Sequence, residues 1–204
     1  RDPLQPYPAD EMTSVQGGTE RDEIIRFNAD FGRLMKAIQA MPQLFVVLIE
    51  GAAMAGGLGL ACLADVTIAT RDAKFALTEV TLGIPPAQIT PVVIKRIGAS
   101  EARRLLLTAA RFDGAEAGRL GFVHFVVEDA AALQSQCDAL IAQSRGGAPG
   151  AIAATKQIIN ATALLDGDEL VQYAAQQFAD CMLSEEAREG LSAFAEKRKP
   201  GWSA

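Results

Sequence analysis

The sequence predicts an α/β fold in which a parallel β-sheet packs against helices, followed by a wholly helical C-terminal part. Short unbroken runs of strand-forming apolar residues, at 44–49 and 66–69, alternate with helical patterns, and such runs are typical of buried strands in a parallel sheet. After about Ala130 the apolar spacing is helical throughout. We therefore expect a core formed by residues 1–128 and a helical arm formed by residues 129–204.

The first half of the predicted core begins irregularly and then becomes periodic. Residues 1–19 contain three prolines and a Gly-Gly pair, so we expect no regular element there. From Glu20 the apolar positions recur at helical spacing until Pro42, which predicts a long amphipathic helix that the proline ends. The run at 44–49 then predicts a strand covered on both faces. A glycine-rich stretch at 51–59 leads into a helical piece that ends near residue 64.

The rest of the predicted core alternates strands with short helices. A short strand at 74–77 follows the run at 66–69, and a further strand is expected at 122–127. Between these strands, the apolar spacing predicts helices at 89–97, 100–108 and 113–119. No segment repeats another, so we do not expect a repeat architecture.

Length, composition and charge narrow the class of protein. The chain has 204 residues, 50% of them apolar and 22% charged, which suits one folded core with an appendage. The net charge of −6 and the pI near 4.9, with Lys and Arg scattered, argue against nucleic-acid and membrane-surface partners. The longest apolar run falls far short of the ~20 residues that span a bilayer, and residues 1–10 lack a signal-peptide pattern. We expect a cytoplasmic protein.

The cysteines and the single histidine give no sign of a disulfide framework or a metal site. Cys62, Cys137 and Cys181 are odd in number, widely spaced and set in apolar or helical contexts, which favours reduced thiols. No spacing of zinc ligands occurs, so no metal is expected.

The glycine-rich stretch is the most informative motif. A strand, the segment 50–61 and a helix follow one another, and small residues at a helix start let backbone N–H groups approach an anion. That anion could be a phosphate or a developing oxyanion, and tight helix–strand packing without a ligand is a third interpretation. The phosphate interpretation is weak, because Gly57-Leu-Gly59 lacks the third glycine of a dinucleotide fingerprint and no P-loop lysine follows.

Several motifs together resemble the crotonase (enoyl-CoA hydratase/isomerase) superfamily. They are residues 51–65, Phe75-Ala-Leu-Thr-Glu79, Leu82-Gly-Ile-Pro85, the segment 113–123 and the closing Phe194-Ala-Glu-Lys-Arg-Lys199. The resemblance implies a repeated ββα spiral with a C-terminal helical oligomerisation arm, assembled as a homotrimer or a dimer of trimers. It also implies an acyl-CoA thioester substrate, with coenzyme A entering as part of the substrate and no permanently bound cofactor.

The resemblance assigns roles to three residues. Gly56 matches the position whose backbone N–H binds the thioester oxygen, and an amide ahead of a helix can stabilise an enolate. Glu79 matches the downstream catalytic glutamate, and a carboxylate beside an apolar acyl pocket suits general acid–base work. Lys197 matches a position that reaches the CoA nucleotide, often from a neighbouring subunit. Alternatively, Glu79 is a solvated loop carboxylate and Lys197 a solvated lysine near the C-terminus, neither with a functional role.

The sequence departs from the family pattern in two places. Hydratases of the family usually carry a second glutamate where this chain has Gly59. Gly59 therefore either favours isomerisation or another enolate reaction, for which one carboxylate suffices, or leaves space for an acyl substituent while Glu79 alone handles the water. The family also begins with strands and a loop that donate the second oxyanion amide. None of these precedes Arg1, and we expect the chain to be the C-terminal part of the spiral.

Three functions remain open from the sequence. The main hypothesis is an acyl-CoA hydratase or hydro-lyase that acts through an enolate, because residues 82–91 with Gly59 resemble hydratases of branched glutaconyl-type thioesters, the isohexenylglutaconyl-CoA hydratases of acyclic terpene breakdown among them. An enoyl-CoA isomerase with a single glutamate and a non-catalytic acyl-CoA-binding subunit are the alternatives. We expect His124 to be a strand-end residue. Arg103, Arg104 and Arg111 are expected on helix surfaces.

Overall fold

The computed structural model of the protein describes residues 21–203, so the segment 1–19, predicted to be irregular, lies outside the described residues. Helix α1 (Arg21–Ala40) confirms the predicted amphipathic helix. Asp22 and Glu23 lie in its first turn, where acidic side chains interact favourably with the helix dipole. The helix ends two residues before Pro42, as the sequence predicts.

The remaining elements fall into a mixed α/β part and a helical part. The first comprises β1 (Val46–Ile49), β2 (Ala52–Met54), α2 (Gly56–Ala61), β3 (Val66–Thr70), β4 (Lys74–Ala76), a 3-10 helix (Glu79–Leu82), α3 (Thr90–Thr108), β5 (Phe112–Asp113), α4 (Gly114–Leu120) and β6 (Phe125–Val127). The second comprises α5 (Ala130–Ser144), α6 (Pro149–Ala161), α7 (Gly167–Met182), α8 (Glu185–Ala195) and a final 3-10 turn (Gly201–Ser203).

The described strands form two three-stranded sheets. In the first sheet, β1, β3 and β6 run parallel in that order, with Val46 opposite Val66 and Ile68 opposite Phe125. In the second, β2 pairs with β4 in parallel and β5 pairs with β4 antiparallel. The predicted strands at 44–49, 66–69, 74–77 and 122–127 are confirmed as β1, β3, β4 and β6. Strands β2 and β5 were not predicted, because two or three residues carry no readable alternation.

The prediction that β1 is covered on both faces is wrong in part. Helix α5 packs Leu133 and Cys137 against Ile68 of β3, and Val46 at the start of β1 joins this cluster. Leu48, two residues further along the same face, is 38% exposed. The helix therefore covers only the beginning of this face of β1.

The main core joins both sheets to helices α1–α4. Phe75 of β4 is fully buried and stacks on Phe112 of β5 with ring centroids 5.5 Å apart, and Phe112 stacks on Phe122 at 5.4 Å. These stacked rings fix the short antiparallel pair against the segment that leads into β6, and each stacked pair adds about 0.5–1.5 kcal/mol beyond its area burial.

Helix α3 is interrupted as the sequence predicts. Gly98 has φ 78° and ψ 161°, a conformation that breaks the helical ladder and that favours glycine. The two predicted helices at 89–97 and 100–108 are therefore two segments of α3 on either side of this glycine.

The helical part is tied to the α/β part by polar contacts of α6. The Lys156 ammonium donates to Asp65 Oδ2 at 2.6 Å and to the Gln43 carbonyl at 2.9 Å, and Asn160 donates to the Gln39 carbonyl at 3.0 Å. Lys156 keeps only 11% of its side chain exposed. None of the helices at 21–203 combines the length and apolar character needed to cross a membrane. The division at residue 128 stays a prediction.

Candidate active site

Strands β2 and β4 bring Gly56 and Glu79 to one edge of the second sheet. The two strands are parallel and in register, with Met54 opposite Ala76, and the Ala55 amide donates to the Ala76 carbonyl at 2.8 Å. Gly56 begins α2 directly after β2, and Glu79 begins the 3-10 helix shortly after β4. Because the carboxyl ends of neighbouring parallel strands meet at one sheet edge about 4.8 Å apart, the two predicted site residues follow adjacent strand ends.

The chain turns sharply between β2 and α2. Ala55 has φ 48° and ψ −125°, which is unusual for a residue with a Cβ. The first hydrogen bond of α2 runs from the Gly59 amide to the Ala55 carbonyl at 3.1 Å. Among the described residues, the Gly56 amide has no hydrogen-bond acceptor. It can therefore donate to an oxygen placed at the sheet edge.

Glu79 carries a buried carboxylate oxygen. Its Oε2 is inaccessible to solvent and has no hydrogen-bond partner in the part of the chain that the structure describes. The short helix is closed by hydrogen bonds from Thr81 N to Thr78 O at 3.0 Å and from Gly83 N to Val80 O at 3.2 Å, so the backbone of Glu79 is fixed. An unpartnered buried oxygen costs about 1–3 kcal/mol, and stability gives no reason to keep it. This buried polar atom makes Glu79 a candidate functional residue.

Helix α1 forms a wall beside Gly56. A Cβ built on Gly56 would lie 3.6 Å from Phe31 Cζ, an ordinary contact distance, so the Phe31 ring faces the start of α2. Gln88, in the segment before α3, donates to Asn28 Oδ1 at 2.7 Å and packs so closely on Gly32 that a side chain there would collide with it. Helix α1 is thereby held against both α2 and the segment before α3.

The expectation that Gly59 leaves space for an acyl substituent is wrong. Gly59 is buried, and a Cβ built on it would collide with the Ile89 side chain, lying 2.7 Å from Ile89 Cβ and closer still to Cγ2. Ile89 is itself only 2% exposed. The branched side chain from the segment before α3 occupies the volume that a side chain at residue 59 would need.

His124 forms hydrogen bonds within the first sheet. The His124 Nδ1 accepts from the Thr67 amide at 2.9 Å and the His124 amide donates to the Thr67 carbonyl at 2.9 Å, which extends the pairing of β3 with β6 as expected for a strand-end residue. Burial, and then the Arg96 charge, lower the pKa of His124. Its Nδ1 is an acceptor only in the neutral ring.

The basic residues singled out from the sequence are exposed. Arg103 and Arg104 lie exposed on α3 as expected, and Arg104 pairs with Glu101 at 2.7 Å. The expectation that Arg111 lies on a helix surface is wrong, because it is exposed in the short connection between α3 and β5. Lys197 lies exposed in the turn after α8 with φ 55°, and its ammonium pairs with no described residue. No group of three potential metal ligands occurs among residues 21–203. The roles of Glu79, Gly56 and Lys197 stay predictions.

Comparison with known proteins agrees with this arrangement. The family model described as enoyl-CoA hydratase/isomerase matches residues 10–204. The structure of Pseudomonas aeruginosa AtuE is 47% identical with a TM-score of 0.92, covering 96% of this chain and 76% of that one. The carnitinyl-CoA dehydratase of Proteus mirabilis is 36% identical over 86% of this chain and 70% of its own length. The short-chain-enoyl-CoA hydratase of Clostridium acetobutylicum is 28% identical over 93% and 70%.

The chain thus spans 70–76% of the length of these three proteins. The predicted crotonase-type α/β fold is confirmed by the match to solved structures of the family over nearly all of the chain. The chain belongs to the enoyl-CoA hydratase/isomerase family, the crotonase superfamily.

Proposed function

We propose that the chain forms part of an acyl-CoA hydro-lyase that adds water to, or removes it from, an enoyl-CoA thioester. The observation that carries this proposal is the buried Oε2 of Glu79, which has no hydrogen-bond partner among the described residues and follows the strand paired with the one that leads to Gly56. The names of two relatives, a short-chain-enoyl-CoA hydratase and a carnitinyl-CoA dehydratase, support the same reaction class.

The proposed mechanism uses the carboxylate and the amide in different steps. Glu79 takes a proton from water as the water oxygen bonds to C3 of the enoyl group. The C2–C3 π electrons form the C1–C2 double bond of the enolate, and the carbonyl π electrons move onto the thioester oxygen. The Gly56 amide donates a hydrogen bond to that oxygen, which gains charge as the enolate forms, and such a donor contributes about 2.7–4 kcal/mol to the transition state. Glu79 then returns the proton to C2, so that one carboxylate serves both transfers.

Assay of the full-length protein against a panel of enoyl-CoA thioesters tests this proposal. Hydration removes the conjugated double bond, so ultraviolet absorbance falls as the reaction proceeds. Incorporation of oxygen from labelled water into the acyl chain identifies the addition directly. Absence of turnover and of label with every thioester of the panel would remove the proposal.

We further propose a branched glutaconyl-type acyl group as the substrate, bound with its coenzyme A as part of the substrate. The sequence of residues 82–91 supports this, and Leu82 and Ile84 expose apolar side chains close to the carboxylate-bearing 3-10 helix. The proposed role of Lys197 is to bind the CoA nucleotide. In Lys197→Met, KM for the thioester should rise at least about 5-fold with kcat nearly unchanged, as expected for loss of uniform binding.

One observation favours an isomerase as the second candidate. Residue 59 is a glycine, so α2 carries no second carboxylate at this position, and Ile89 fills the place that a side chain there would need. One carboxylate suffices to move a proton between two carbons of an enolate, whereas hydration must also orient a water molecule. A 3-enoyl-CoA that gains conjugation, without incorporation of labelled water oxygen, would identify this reaction.

We also propose assembly as a homotrimer or a dimer of trimers. Large apolar side chains stand exposed on the helical arm, among them Phe178 at 68%, Leu183 at 81% and Phe194 at 85%. A cleft of about 600 Å³ opens between α6, α7 and α8 and is lined mainly by small and apolar residues. Such surfaces are unusual on a monomer. Sedimentation of the full-length protein as a strict monomer would contradict this proposal.

A further inference from the structure

Ile89 and Phe31 lie against one face of the short helix α2. Gly56 and Gly59 are three residues apart, so positions for their side chains share a helical face. Phe31 closes this face at Gly56 and Ile89 closes it at Gly59. The face that begins with the candidate donor amide is therefore covered by apolar groups, one from α1 and one from the segment before α3.

The segment that carries Ile89 is held rigidly. The Thr90 amide and hydroxyl both donate to the Pro86 carbonyl, at 3.0 and 2.7 Å, and the Ala87 amide donates to the Pro85 carbonyl at 2.8 Å. The neighbouring Gln88 is fixed by its hydrogen bond to Asn28. The backbone of Ile89 therefore cannot move aside without breaking several hydrogen bonds.

We propose that Ile89 is a specificity-determining residue, an inference that rests on the proposed acyl-CoA function. By filling the volume beside Gly59, Ile89 limits the size of the acyl group that can lie along α2 next to Gly56. Shortening Ile89 opens this volume toward the same face of the helix, because residue 59 has no side chain of its own to fill it. The variant should then accept longer acyl chains better, relative to short ones, than the wild type does.

The test compares Ile89→Ala with Val93→Ala in the full-length protein. Val93 lies one helical turn along α3, is fully buried, and its amide donates to the Ile89 carbonyl at 3.0 Å, so it controls for loss of buried volume. The readout is the ratio of kcat/KM for 2-octenoyl-CoA to that for crotonyl-CoA. We expect the ratio to rise about 10-fold in Ile89→Ala, within the range for methylene-sized pocket changes, and to change less than about 2-fold in Val93→Ala.

A milder variant and a stability measurement complete the test. Ile89→Val should shift the ratio in the same direction by a smaller factor, so a poorly folding Ile89→Ala does not end the experiment. Gly59→Ala alone should lower Tm, and adding Ile89→Ala should recover part of the loss, because both side chains compete for one volume. Ratios within 2-fold of wild type in both Ile89 variants would overturn the inference. Failure of the wild type to turn over any enoyl-CoA would instead refute the proposed function.

Discussion

Replacing Glu79 with glutamine separates the chemical role of its carboxylate from a structural one. Glutamine keeps the shape of the side chain and removes the titrating group. Since Oε2 accepts no hydrogen bond from a described residue, the substitution breaks no contact at that atom. Loss of a positioned acid–base group should lower kcat about 10²- to 10⁴-fold. The smaller factor equals about 2.7 kcal/mol of transition-state stabilisation, at 1.36 kcal/mol per factor of ten.

The thermal stability of Glu79→Gln should change little, in contrast to its kcat. Glutamine leaves a polar atom at the place of Oε2 and removes no hydrogen bond to a described residue, so the cost of the unpartnered atom stays nearly the same. We therefore expect the Tm of Glu79→Gln to stay close to that of the wild type, while KM changes little. A side chain kept only for folding would show the opposite, a lower Tm with preserved turnover.

The assay follows ultraviolet loss of the conjugated double bond at saturating concentrations of the enoyl-CoA that the wild type turns over fastest. Glu169→Gln is the matched control, because Glu169 is exposed in the first turn of α7 and pairs with no described cation. Its kcat should stay within about 2-fold of wild type, as for most surface substitutions. A Glu79→Gln enzyme with kcat within about 10-fold of wild type would remove Glu79 from the proposed mechanism.

Two further predictions concern the scaffold. Lys156→Met leaves the part-buried Asp65 without its cation. It should lower the free energy of unfolding, measured by denaturant titration, by about 2 kcal/mol, a value between those of surface and buried ion pairs. The exposed control Lys95→Met should stay within about 0.5 kcal/mol of wild type, and equal effects of the two substitutions would contradict the prediction. The pKa of His124 is lowered from its ordinary value of 6.5, so the folded protein favours the neutral ring. This contribution to stability is present at pH values above 6.5 and is lost as the pH falls. Tm should therefore drop more steeply on acidification in wild type than in His124→Asn, and parallel curves would count against the prediction.

Sequence patterns located the long elements because their signals are local. Helix α1 is readable from apolar spacing alone, and β3 from an unbroken run of strand formers. The break in α3 was readable as well, since a glycine between two periodic segments marks a boundary. Strand β2 was not, because pairing with β4 makes Ala52–Met54 a strand and their own propensity does not.

Some features of the candidate site could be predicted from the sequence and others could not. The glycine-rich segment and Glu79 could be singled out from residue order, and the parallel pairing of β2 with β4 places them after neighbouring strand ends. The filling of the Gly59 position by Ile89 could not be predicted, since 30 residues separate them and no periodicity links them. The ion pair between Lys156 and Asp65 spans 91 residues and was missed for the same reason. The one feature of the sequence that could have drawn attention to Ile89 is that it is a branched apolar residue in a segment rich in turn-forming residues.

The conformation of Ala55 restricts which sequences can carry this turn. With φ 48° and ψ −125°, the peptide unit before α2 stores on the order of 1–3 kcal/mol in any residue that has a Cβ, and most in a β-branched one. A saturation library at this codon should therefore retain glycine and alanine and lose valine, isoleucine and threonine even under weak selection. This restriction at residue 55 narrows the set of amino acids through which the turn can evolve, because β-branched residues are excluded there.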